Sequence, residues 1–396
     1  MARAPHLPRR PVRTTIVAAA AAAFTLGTAG CTIDLSSWRP GAETEQSPSP
    51  TPVSAGPVLD AALAALEEAP AIQLQGQFSD PEDTTAAVDT MVTVTDSGAT
   101  SGTFQTGSGE ARYIEADRKL FVDADDDYWL TTGIFNPDSD TYADNWVRTS
   151  PEQFGLDPGA VLTPGRLAES LRAQAPGEGA QAVEEKLDGA VTYRVDLAGG
   201  KVWISAEEPY QLIRMQVEEL APADGEGVAS RIDADFVEVD TAAVEQLYGD
   251  LATIAEDELG SARDARMEVG WEGDLGGNCE TGGACTMIGT ITDVGGASEG
   301  SVRVRMDSVF SNDELGEKKC DKTGELEAGG TVELSCSVDF GLAPSTNPQT
   351  YQISYEAFLS TRALSGDARE DLVGKIGEQR EATLSGGAGG EAEEGN

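Results

Sequence analysis

The amino-acid sequence predicts an α+β protein: an antiparallel sheet with helices over one face, then a small disulfide-bonded β-sandwich. Three observations support that class. Apolar residues recur with helical spacing over 57–68 and then alternate strictly from Ile72, which marks a helix followed by half-exposed strands. A capped helical stretch interrupts the strands before they resume, an order that belongs to α+β domains. Beyond residue 265 the strands are short, glycine-rich turns separate them, and four of the five cysteines fall there. The 396 residues leave room for two or three domains.

Residues 1–30 read as an export leader. Arg3, Arg9, Arg10 and Arg13 stand without an acid, an apolar run from Ile16 to Leu26 holds six consecutive alanines, and small residues lead to Cys31. The run is short for a membrane span, and Arg9-Arg10 leaves twin-arginine export open beside the general route. Thr28-Ala29-Gly30-Cys31 resembles the lipobox of bacterial lipoprotein precursors at its last three positions and departs from it at Thr28, where leucine is usual. The resemblance implies that Cys31 becomes the first residue and carries diacylglycerol, anchoring the chain to the outer face of the cytoplasmic membrane. Residues 31–56 then form a tether. Its Ser-Pro-Ser-Pro-Thr-Pro run favours extended polyproline II, which at ~3.1 Å per residue reaches up to ~75 Å.

A first globular region spans 57–260. Pro57 suits a first helical position, Val58, Leu59, Ala62, Leu63 and Leu66 form one stripe, and Pro70 ends the helix. Alternation predicts strands at 72–78, 88–94, 112–116 and 120–124. Thr163-Pro164 starts a helix with Leu167, Ala168 and Leu171 on one face. Strands resume at 191–197, 202–205, 212–217 and 232–239. A trailing helix carries Val244, Leu247, Leu251 and Ile254, a narrow seam suited to packing on the sheet or joining the domains. The second region, 265–362, has strands at 267–271, 285–292, 302–310, 332–340 and 351–359, the spacing of an Ig-like sandwich. Residues 363–396 give a charged helical stretch and a tail, 385–396, whose composition predicts disorder.

Charge and missing residue types narrow the chemistry. The formal charge is -42, and the four arginines of the leader leave about -46 on the remainder. Such a chain repels nucleic acid, which is excluded as a partner, and anionic membrane surfaces, so attachment falls to the acyl chains. His6 is the sole histidine and lies in the leader, which removes Ser/His/Asp and Cys/His catalysis and His-containing zinc sites from the mature chain. No Walker A loop, GxGxxG or Ser-x-x-Lys motif occurs. The expectation is therefore a protein that is not an enzyme and needs no cofactor. Asp123, Asp125, Asp126 and Asp127 have calcium-like spacing but fail the EF-hand pattern, with Tyr128 at the turn glycine and Ile134 at the bidentate acid, so they read as a hairpin tip. Asp138, Asp140 and Asp144 read the same way, and no carboxylate pair stands out for glycosidase chemistry. Outside the cytosol Cys279, Cys285, Cys320 and Cys336 predict two disulfides. The favoured pairing is 279 with 285 and 320 with 336 across a hairpin, with 285 to 336 as an alternative that would staple two sheets.

The first region resembles the LolA/LolB-type lipoprotein-carrier fold, in particular actinobacterial LppX/LprG-type lipid-binding lipoproteins. The residues behind this are the leading helix at 57–68, Ile72 to Phe78, and RYIEADRKLFVDADDDYWL at 112–130, where Leu120, Phe121, Val122 and Trp129 take the family's strand-then-aromatic places. The resemblance covers about 180 residues and stops before the sandwich. It implies a strongly curved sheet enclosing an apolar cavity for a lipid or glycolipid, with Tyr113, Leu120, Val122, Trp129, Trp146, Val195 and Trp203 as lining candidates. A different expectation is an anchored interaction or sensor-accessory protein that meets an envelope partner through the sandwich.

Overall fold

The computed structural model describes residues 52–386 apart from 82–86, 133–140, 144, 223–226, 298–299, 345 and 348. The leader, Cys31, most of the tether, Asp138, Asp140, Asp144 and the tail from 387 lie outside the described residues.

The first elements are Val53–Ser54 (β1), Ala55–Glu67 (α1), Ala71–Ser79 (β2), Val88–Thr95 (β3), Thr100–Gln105 (β4), Glu110–Ala116 (β5) and Lys119–Asp123 (β6). Three short helices, Asp126–Thr131 (α2), Pro151–Phe154 (α3) and Pro158–Val161 (α4), flank Trp146–Thr149 (β7) and lead to Pro164–Ala173 (α5). Gln181–Leu187 (β8), Ala190–Leu197 (β9), Gly200–Ser205 (β10), Leu212–Leu220 (β11) and Ser230–Val237 (β12) form a meander that returns beside β2. Thr241–Thr253 (α6), a π-helical turn at Ile254–Glu258 and Arg263–Asp264 (β13) complete the region. Among the described residues these strands make one sheet of order β1-β8-β9-β10-β11-β12-β2-β3-β4-β5-β6-β7-β13. Every neighbouring pair is antiparallel except β7 and β13.

Alternation along the strands feeds two cores. On one face Leu74, Val92, Tyr113, Val122, Val195, Val202 and Ile232 pack with Val58, Leu59, Leu63 and Leu66 of α1 and Leu167, Ala168 and Leu171 of α5. Burying each such leucine or valine contributes roughly 1.5–3 kcal/mol, so the two amphipathic helices are held by their stripes. On the other face Ile114, Ala116, Phe121 and Trp146 meet Val244, Leu247, Tyr248 and Leu251 of α6. The expectation of helices over one face is thus too narrow: β5 to β7 are covered on both sides, and the narrow seam of α6 is what covers the second.

After β13 come Val269–Trp271 (β14), Gly276–Cys279 (β15), Ala284–Asp293 (β16), Ser301–Asn312 (β17), Gly316–Glu327 (β18), Thr331–Asp339 (β19) and Ser354–Arg362 (β20). They form two small sheets, β14 and β15 on one edge of β16 with β19 on the other, and β18-β17-β20. Ile291, Val304, Met306, Leu334 and Leu359 from the two sheets share one core with Met267, which precedes β14. The chain then returns to the large sheet. The Ala363 amide donates to the Ala262 carbonyl at 2.9 Å, and Gly366–Gly386 (α7) lays Leu372 and Ile376 against the α6 core. The helical stretch thereby takes in the first two residues of the tail expected to be disordered.

A buried hydroxyl network fastens α7. Tyr248 Oη lies 3.0 Å from Thr95 Oγ1, 2.7 Å from Ser97 Oγ and 2.9 Å from Thr383 Oγ1, and Thr383 donates to Asp96. Removing the Tyr248 hydroxyl takes one hydrogen bond from each of Thr95, Ser97 and Thr383, which keep their others, at roughly 0.5–1.5 kcal/mol for each net bond lost. Tyr248→Phe is expected to cost about 2 kcal/mol in urea unfolding and to speed hydrogen exchange across α7 more than across β2 or β11. Equal exchange in all three would remove the network from its assigned role.

Candidate functional site

The seven lining candidates do not share one face. Tyr113, Leu120, Val122, Trp129 and Val195 belong to the core under α1 and α5 and are buried. Trp146 belongs to the α6 core instead, where its indole N–H donates to Glu258 Oε2 at 2.7 Å and the Arg112 guanidinium lies 5.1 Å over its ring. Trp203 sits between Val202 and Ile204, both in the first core, so it faces the opposite way, with Lys201 Nζ 5.1 Å and Arg214 5.8 Å from its ring. One cavity cannot be lined by all seven; strand alternation forbids it for Trp203 once Val202 and Ile204 point inward.

The apolar opening in this core lies among aromatic rings. Phe104 packs on Tyr113, Tyr128 and Phe154 at centroid distances of 6.0, 5.3 and 5.6 Å, and Trp129 joins Tyr128 to Tyr142. Beside this cluster Phe78, Val88, Thr90, Phe104, Tyr128, Phe154 and Leu156 border a pocket of about 170 Å³. The Tyr113 ring lies over Gly102, where a Cβ would come within 2.4 Å of it. Its hydroxyl is buried and has no hydrogen-bond partner among the described residues. Burial pushes the Tyr113 phenol up, with a smaller push from the Glu115 carboxylate, and burial alone raises Tyr128.

Two positions along β5 from Tyr113, Glu115 points into the same face and is 6 % exposed. Its Oε2 accepts the Gly159 amide at 2.9 Å, and a Cβ at Gly159 would stand 2.7 Å from Oε1, so glycine is what admits the carboxylate to α4. Burial, then the nearby Asp157, pushes this carboxyl up to about 7 against the opposing Gly159 hydrogen bond. Glu115 lines a cleft of about 640 Å³ between the β5–β6 turn, β7, α4 and the start of α5. Sequence reading passed over Glu115. The signal was present: it alternates in step with Tyr113, which was assigned inward.

The acidic run proves to be a helix start, which corrects its reading as a hairpin tip. Asp123 ends β6 and pairs with Arg112; Asp125 caps α2 by accepting the Tyr128 amide at 2.8 Å; Asp126 and Asp127 sit in the first turn. Carboxylates are favoured at that end of a helix by the orphan N–H groups and the helix dipole. Hydroxyls of Ser108 and Thr106 also donate to Asp125, at 2.6 and 2.9 Å, and hold it below the usual carboxylate range. No cluster of metal-binding geometry occurs among the described residues.

Among the described residues the cysteines form two disulfides, Cys279–Cys285 and Cys320–Cys336. The first joins residues paired across the β15–β16 ladder. The second links β18 to β19, which belong to different sheets, so it is the staple between sheets and not a bridge across a hairpin. No helix among the described residues is long and apolar enough to cross a membrane. Comparison with protein-family models and with curated proteins gave no match.

Proposed function

We propose that this protein is a lipoprotein anchored at the outer face of the cytoplasmic membrane through Cys31, and that its first region binds the apolar part of a lipid or glycolipid. In this reading the long sheet is of the curved LolA/LolB-like kind and the two small sheets are an Ig-like module carried after it. The observation that carries the proposal is the aromatic pocket bordered by Phe78, Phe104, Tyr128 and Phe154, side chains that belong to the same core as the stripes of α1 and α5. Its 170 Å³ is below the roughly 300–1,000 Å³ of pockets that engulf a whole small ligand, so it suits the end of an acyl chain. Each methylene moved there from water contributes about 0.8 kcal/mol.

The test uses the full chain carrying Cys31→Ser, purified without detergent. Organic extraction and mass spectrometry are expected to find a co-purifying lipid, and Val88→Trp, which fills the pocket, is expected to lose most of it. A protein that carries no lipid and takes up no fluorescent fatty acid would overturn the binding proposal. The anchor has a separate test: Cys31→Ser should move the protein from the membrane to the soluble fraction, and unchanged fractionation would remove it.

A further inference from the structure

The cleft beside Glu115 is a different kind of place from the aromatic pocket. The chain has 27 basic residues against 69 acids, yet four arginines, Arg118, Arg148, Arg166 and Arg266, line this one cleft. Arg266 is satisfied by a two-pronged pair with buried Asp264 and by the Ser301 carbonyl. The guanidiniums of Arg118, Arg148 and Arg166 have no hydrogen-bond or ion-pair partner among the described residues. Arg148 is half-buried on β7, where desolvation and then Arg266 make its charge costly, with Asp264 and Asp117 only partly offsetting this. A costly, unpaired cation in an otherwise acid-rich protein calls for an anion.

Two further groups wait for an acceptor or donor. Thr149, 4 % exposed, has a hydroxyl with no partner among the described residues; alternation along β7 sets it on the face of Val147 and Leu120, with Glu115, while Arg148 leaves the strand on the other face and borders the cleft from there. The ten-residue helix α5 starts at the same cleft, and its cap residue Thr163 makes no side-chain capping bond. Helix N-termini favour anions through their free N–H groups. The turn that presents Arg118 is held at a cost as well: Asp117 and Arg118 both adopt positive φ, 49° and 56°, where glycine or asparagine is the usual choice.

We propose that this cleft binds a phosphoryl group carried on a small polar molecule, with Arg148 at its centre and Arg118 and Arg166 closing on its oxygens. Phosphate fits better than carboxylate because three guanidinium forks offer more donors than two carboxylate oxygens can accept. At about 640 Å³ the cleft leaves room for the group that bears the phosphate. Glu115 faces Asp157 and the Gly159 amide on α4, with Asp117, Asp96 and the four arginines around the same space. Protonated, it is neutral toward an anion in the cleft; ionised, it adds a negative charge that opposes one. The site stands apart from the apolar pocket, so either proposal can fail alone.

The full chain carrying Cys31→Ser is titrated calorimetrically with inorganic phosphate, glycerol 3-phosphate and sulfate in buffer free of other multivalent anions. Saturable binding is expected, with glycerol 3-phosphate at least as tight as phosphate, about tenfold weaker in Arg148→Ala. Arg118→Gly keeps the protein folded while testing the site, since it relieves the positive φ: melting temperature should rise as affinity falls several-fold. Sulfate keeps its charge near neutrality, so its affinity should drop as pH rises through about 7 in the parent and stay level in Glu115→Gln. Co-sedimentation with phosphatidylcholine vesicles, with and without phosphatidic acid, separates a lipid headgroup from a soluble ester; retention that requires phosphatidic acid and Arg148 supports the site with the headgroup as source. Absence of saturable binding to all of these, or binding that survives both arginine substitutions, would overturn it.

Discussion

Replacing Cys320 and Cys336 together by serine is expected to lower the unfolding free energy of the second region by about 3 kcal/mol, the scale for closing a loop of this length. The bridge spans a sequence separation of 16 and a Cα–Cα distance of 6.0 Å. Its location adds to its weight. β18 contributes little apolar burial, since Leu326 is its one side chain placed fully in the core, and most of its other residues are exposed. Without the bridge its grip on the facing sheet rests on Leu326, since its ladder to β17 lies within its own sheet. Removing Cys279–Cys285, a separation of 6 between residues already paired in a ladder, is expected to cost nearer 2 kcal/mol. Urea unfolding with hydrogen exchange read over β16 to β20 checks both. A larger loss from the shorter bridge would show that cross-sheet stapling is not what stabilises the module.

Which parts of this fold could be read in advance follows from how strongly each segment commits to a face. α1, β2, β3 and the strands from β9 to β12 carry apolar residues in clear register, because each buries one side against α1 and α5. β8 escaped notice because its seven residues are exposed or half-exposed, so no alternation is imposed on them. Its turn was nevertheless legible: Asp188-Gly189, with φ of 52° and 89°, is the two-residue signal that closes a hairpin. β18 was hidden in the same way, since GEKKCDKTGELE shows its partners only through Cys320 and Leu326. The cysteine pairing followed from spacing, but whether the longer bridge joined one sheet or two depended on sheet order, which spacing does not encode. The cleft was the least legible feature. Arg118, Arg148 and Arg166 are distant in sequence and border one cleft only because the β5–β6 turn, β7 and α5 converge.

Glu115→Gln is expected to make the protein more stable above neutral pH by roughly 3 kcal/mol, since a carboxyl displaced from 4.5 to about 7 differs by that much between its two protonation states. The sign follows from proton counting. Between about pH 4.5 and 7 the folded protein holds a proton on Glu115 that the unfolded chain has released, so stability falls as pH rises through that window; above it both states are ionised and the full penalty remains. Glutamine keeps an oxygen that can accept the Gly159 amide, so the packing against α4 is retained while the charge is gone. The other acids of this strongly negative chain also weaken it as they ionise. The informative quantity is therefore the difference between parent and variant, measured by denaturant unfolding from about pH 5 to about pH 8. That difference should be small at the acid end and open through neutrality. Were it to stay flat, burial would not be raising the Glu115 carboxyl, and its negative charge would oppose an anion in the cleft over the whole range.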